Sequence, residues 1–72
     1  MLPPAGPEGD AIRTSFRATG IVLGGTLTYL GNDIFQVEMI LVARNGSRMA
    51  FGGYLSHQDF PPTITGTIVS IP

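Results

Sequence analysis

From Arg13 onward the apolar residues of this chain recur mostly with a period of two, the spacing of strands with one covered face. Thr14, Phe16 and Ala18 alternate with Arg13, Ser15, Arg17 and Thr19, which predicts a first strand. Gly20 and the pair Gly24-Gly25 interrupt the pattern before Thr26 to Leu30 resume it. Glycine inside a strand pattern marks a bulge, a sharp bend or a close backbone approach. Gly31-Asn32-Asp33 is a turn signal, built from residues that tolerate positive φ.

Ile34 to Ala43 is the strongest element and carries two readings. Asp33 followed by Gln36 resembles a helix capping box, with Gly46 as the helix stop. On a helix, however, Gln36 and Glu38 lie about 200° apart and form no polar face. On a strand they share one side, and Ile34, Val37, Ile40 and Val42 are β-branched, so a strand is preferred.

Asn45-Gly46 between two apolar runs signals a hairpin. A two-residue turn pairs Ala43 with Arg48 and Val42 with Met49. A type I turn with Gly46 in the left-handed bulge position pairs Val42 with Arg48 and Leu41 with Met49. The second register puts Phe35, Val37, Met39, Leu41, Met49 and Phe51 on one face and Gln36, Glu38 and Arg48 on the other. It segregates apolar from polar, whereas a slip of one residue mixes them, so it is the register expected. The more polar face also carries Ile34, Ile40, Val42, Ala50 and Tyr54, so both faces call for some cover.

Gly52-Gly53 predicts a further bend, Ser56 to Pro62 a loop, and Thr63 to Ile71 a last strand. In that strand Thr65, Thr67, Val69 and Ile71 share one side and Ile64, Gly66 and Ile68 the other. Residues 1–12, with Pro3, Pro4, Gly6, Pro7 and Gly9, read as a disordered, flexible tail ahead of a small β domain over residues 13–72. The expected fold class is therefore all-β: a small antiparallel barrel or curled sheet of about five strands.

Composition changes the picture in one respect. Seventy-two residues make one small domain. For a chain of this size, apolar burial and the cost of ordering the chain nearly cancel, each on the order of 100 kcal/mol. Such chains commonly rely on disulfides, a metal or a partner. Cysteine is absent and there is a single histidine, which leaves self-association. Further copies of the chain are thus the expected partners, with another protein as the alternative. Four arginines, no lysine and five acids give a net charge of -1, which argues against capture of nucleic acid or an anionic membrane by charge alone. The longest apolar stretch is too short to span a bilayer, and the start lacks the basic and apolar regions of a signal peptide. The cytoplasm is the default location.

Candidate chemistry is sparse. Ser56, His57 and Asp59 are the residue types of a hydrolase triad, but a triad needs its members to converge from different directions. Their adjacency suggests instead a loop histidine oriented by Asp59. A metal site would need Asp33 or Glu38 in addition, with no spacing motif to support it. Gly20 to Gly25 lacks the lysine and the following helix of a phosphate loop. No enzyme activity and no cofactor is expected. Arg13, Arg17 and Arg48, with Arg44 beside them, would contact phosphates if an oligomer aligned them. Tyr29, Tyr54 and Phe60 would stack on bases or sugars, and with His57 and Asp59 they make a candidate small-molecule or carbohydrate site.

Gly20-Ile21-Val22-Leu23-Gly24-Gly25-Thr26-Leu27, with the later Asp33 and the closing Ile68-Val69-Ser70-Ile71, loosely resembles the first motif and last strand of the Sm family. The resemblance covers about a third of the chain and implies a ring-forming, RNA-binding small barrel. The chain departs from that pattern in the downstream place of Asp33, in Gly52-Gly53 where the second motif carries its polar signature, and in having no helix expected ahead of the first strand. The leading expectation is a non-enzymatic, self-associating interaction or structural module.

Overall fold

The computed structural model describes residues 4–72. A helix, α1 (Gly6–Ser15), precedes four strands, β1 (Ile21–Gly31), β2 (Ile34–Val42), β3 (Arg48–Ser56) and β4 (Thr63–Ile71). The strands form one antiparallel meander in the order β1-β2-β3-β4. The all-β expectation holds for the body of the protein, with four strands in place of five and an open sheet in place of a barrel. β1 and β4 are its two edges.

The lost strand is the stretch from Arg13 to Thr19. Its first three residues end α1, and the next four form a turn. The tail expected over residues 1–12 is likewise corrected, since within the described residues it enters α1. Pro7 stands in the first helical turn with Glu8, and Arg13 in the last, a charge order that suits the helix dipole. Gly9 and Ile12 are buried, and Phe16 lies one turn beyond Ile12 on the same side. A period of three to four therefore governs this segment, and not the alternation of two that its residues suggest. Gly9 is a point of close approach: a Cβ there would stand 2.6 Å from the carbonyl carbon of Pro4. The oxygen of that carbonyl accepts a hydrogen bond from Arg13 Nη1 at 2.7 Å.

β2 is a strand throughout, and the β2–β3 hairpin has the bulged register, with Val42 opposite Arg48 and Leu41 opposite Met49. Gly46 has φ 87°. Its N–H donates to Ala43 O at 2.9 Å, and Ala43 N–H donates to Ser47 O at 2.8 Å. The β1–β2 turn places Asn32 at φ 54° and Asp33 at φ 61°, the paired left-handed residues of a tight hairpin. Gly24-Gly25 does not divide β1. The register shifts between Val22 and Gly24, and the strand continues past the bulge. Gly52-Gly53 does not bend β3 either. Gly53 lies opposite Gly66, and both leave room for the Phe51 ring.

The core lies between α1 and one face of the sheet: Ile12 from the helix against Val22, Val37, Met39, Leu41, Phe51 and Leu55. It is the apolar face predicted for β2 and β3, and the helix is its cover. Phe16, Leu27, Phe35, Met49 and Ile64 pack around it. Among the described residues nothing covers the opposite face.

Candidate interaction surface

The uncovered face is organised in cross-strand rows. Ile21, Val42, Arg48 and Ile71 form one row, and Gly24, Ile40, Ala50 and Val69 the next. Then come Thr26, Glu38, Gly52 and Thr67, followed by Thr28, Gln36, Tyr54 and Thr65. Two apolar rows thus adjoin two polar ones. At their boundary lies a groove of about 380 Å³, floored by Ile40, Ala50 and Val69 with Glu38 at its side. Ile21 is 71% exposed, Val69 59% and Tyr54 51%. Such a band of exposed apolar side chains on one face makes it a candidate interaction surface.

The two free edges differ. β1 carries register shifts between Val22 and Gly24 and between Tyr29 and Gly31, which break its outer rim. β4 pairs with β3 without a shift from Thr63 to Ile71. Its nine residues, TITGTIVSI, hold no charge and no proline. Seven of them are exposed, and Ile68 is 41% exposed on the helix side of the rim. Charge, proline and bulges are the usual devices that blunt an edge, and β4 has none of them.

The charges are sorted by position along the strands. Arg17 and Arg44 line one cleft of about 450 Å³ with Gly20, Ile21 and Val42. Arg13 and Arg17 line a second, of about 340 Å³, beside it. Arg48 stands at the same end of the sheet, opposite Val42 and Ile71. Arg13 Nη2 is engaged by Asp10 Oδ1 at 2.8 Å, while Arg17, Arg44 and Arg48 make no ion pair among the described residues. Asp33 and Asp59 sit at the other end, in the β1–β2 turn and the β3–β4 loop. His57 N–H donates to Asp33 O at 2.8 Å and Gln58 Nε2 to Asn32 O at 2.9 Å, so these two loops are tied together. The protein is basic at one end of its strands and acidic at the other, despite its small net charge.

The triad types are engaged separately. His57 Nε2 lies 3.8 Å from Glu8 Oε2, and its ring meets Phe35 edge-on, with centroids 6.0 Å apart. Asp59 Oδ2 accepts from Thr63 Oγ1 at 3.4 Å, and Ser56 Oγ accepts from Gln58 N–H at 3.1 Å. His57 is thus held by the helix and a phenyl ring, in place of the Asp59 contact expected from their spacing. Tyr29 meets Phe35 at a tilt, with centroids 5.0 Å apart on the helix side, whereas Tyr54 lies on the uncovered face and Phe60 is 98% exposed. The structure therefore separates the aromatic residues that the sequence reading grouped. It brings together the arginines, and it reveals the partnership of Glu8 with His57, which depends on a helix that the strand pattern concealed.

Among the described residues no three of His, Asp and Glu gather as a metal would require, and no helix is long and apolar enough to cross a membrane. Two features of the Sm comparison change: a helix does precede the first strand, and the sheet remains open. Comparison with protein-family models, with curated proteins and with solved structures finds no match for this chain.

Proposed function

We propose that this protein is a non-enzymatic module that assembles with copies of itself through the uncovered parts of its sheet. The observation that carries the reading is the apolar band on the face of the sheet that α1 leaves open among the described residues. Among the described residues α1 covers one face, while Ile21, Ile40, Val42, Val69 and Ile71 lie on the other with nothing over them. The helix and the sheet already make two layers, and a second copy would cover the exposed apolar side chains of the open face or edge at no cost in chain length. The separate engagement of Ser56, His57 and Asp59 supports a role without catalysis. Sedimentation of the full chain at micromolar concentration tests the proposal. A concentration-dependent mass above that of one chain is expected, and a folded monomer over the whole range overturns it.

The gathering of Arg13, Arg17, Arg44 and Arg48 at one end favours a second reading, an RNA or other anion site. Arg17 and Arg44 line the larger cleft there with no carboxylate among its lining residues, while Arg13 is paired with Asp10. Binding of a single-stranded RNA oligonucleotide would weaken steeply with salt and fall in Arg13→Ala or Arg48→Ala. Absence of binding at low salt removes this reading.

A further inference from the structure

We infer that the free edge of β4 pairs antiparallel with β4 of a second copy about a two-fold axis at Thr67. The inference rests on the self-association proposed above and specifies its geometry. Three observations carry it.

The first is the edge itself. β4 is straight in register along its full length, uncharged and exposed, whereas β1 is bulged at two places. A row of unpaired backbone groups with no obstacle is a template for another strand.

The second is register. Thr67 is the middle residue of Thr63–Ile71, so an axis there pairs all nine residues. Thr63 then lies beside Ile71 of the other copy, Thr65 beside Val69, and Gly66 beside Ile68. Each residue keeps its face, because the paired positions differ by an even number. Ile68, exposed at the rim, gains a neighbour with no side chain. Thr67 meets its own equivalent, a favourable cross-strand pair. The axis is normal to the sheet, so both helices lie on one side, and on the other side the apolar rows of each copy continue into the polar rows of its neighbour.

The third is charge. Asp59 is held at Thr63 by the 3.4 Å contact between Oδ2 and Oγ1, and Arg48 stands opposite Ile71 in the β3–β4 ladder. Antiparallel pairing sets the acidic end of each copy beside the basic end of the other. Arg48 then lies two strand spacings, about 10 Å between backbones, from Thr63 of the other copy, where Asp59 is held, and the long Arg48 side chain spans most of that gap. Parallel pairing would set arginines beside arginines. The sorted charges thus select a second copy, in the antiparallel sense, as the occupant of this edge.

The chain has no cysteine, so single substitutions report the axis directly. Directly opposed residues of an antiparallel pair have the Cα separation of a disulfide. Under mild oxidation Thr67→Cys is expected to form a covalent dimer, and Thr63→Cys, about 25 Å from its equivalent by strand rise, to remain uncrosslinked. In parallel, Asp59→Arg or Arg48→Asp alone should weaken association by about tenfold or more, and the double variant should restore it. Circular dichroism verifies that each variant is folded. A dimeric wild type in which Thr67→Cys does not crosslink, or in which both cysteine variants crosslink alike, overturns the β4 pairing and leaves self-association through another surface. A wild type that is monomeric throughout overturns both.

Discussion

The ring of Phe16, at the C-terminal end of α1, meets the ring of Phe51 on β3 edge to face, with centroids 4.9 Å apart and planes 64° from parallel. This contact fastens the last turn of the helix to the middle of the sheet. Edge-to-face aromatic pairs contribute about 1 kcal/mol beyond the area they bury. Phe16→Leu keeps an apolar side chain of similar reach but removes the ring. We expect it to lower the free energy of unfolding by about 1 kcal/mol in a urea titration. No change, at an unaltered dependence on urea, would mean that the helix is held by Ile12 alone.

Beneath the same Phe51 ring the sheet has no side chains. A Cβ on Gly66 would lie 2.6 Å from Phe51 Cζ and 2.7 Å from Gly53 Cα, and one on Gly53 would lie 2.9 Å from Phe51 Cζ. Gly66→Ala therefore overpacks the core and should cost about 1–3 kcal/mol. Gly52, next in sequence but on the uncovered face, has nothing within 4 Å of a Cβ. Gly52→Ala should leave stability unchanged or raise it by up to about 1 kcal/mol through a stiffer unfolded chain. Thermal unfolding of the two variants side by side gives the comparison. Equal losses in both would show that backbone freedom, and not the Phe51 ring, is what these glycines provide.

At the β2–β3 hairpin the constraint is conformational. Gly46 has φ 87° with open space around it, so a side chain there is opposed by backbone sterics alone. Gly46→Ala should destabilise by about 1–2 kcal/mol. Gly46→Asn should cost less, because asparagine tolerates the left-handed region. The order of the two unfolding midpoints checks the turn, and alanine above asparagine would contradict the bulged geometry.

Much of the sheet was legible in the residues themselves. The β2–β3 register followed from two local facts, a glycine able to take positive φ and an alternation that one register alone sorts into faces. The limits of β4 followed from Pro61-Pro62 before it and from the seven β-branched residues among its nine. The candidate surface was legible in part: the surplus of apolar side chains on the second face of β2 and β3 could be counted before any fold was known. The basic end could not, since Arg13 and Arg17 are distant in sequence from Arg44 and Arg48. Only the helix turn and the hairpin tip together bring them near.

The chain alone therefore determined β2, β4, the turns at Asn32-Asp33 and Asn45-Gly46 and the β2–β3 register, because those depend on φ preference and on a period that neighbouring residues set. Tertiary structure decided the rest. Ten residues with proline and glycine among them make a poor helix in isolation, and α1 gains its stability from placing Ile12 and Phe16 on the sheet. That docking determines which face is covered, draws Glu8 to His57, and leaves the other face and the edge of β4 open. Whether β1 meets β4 is likewise a matter of sheet curvature summed over all four strands, and no short run of residues encodes it.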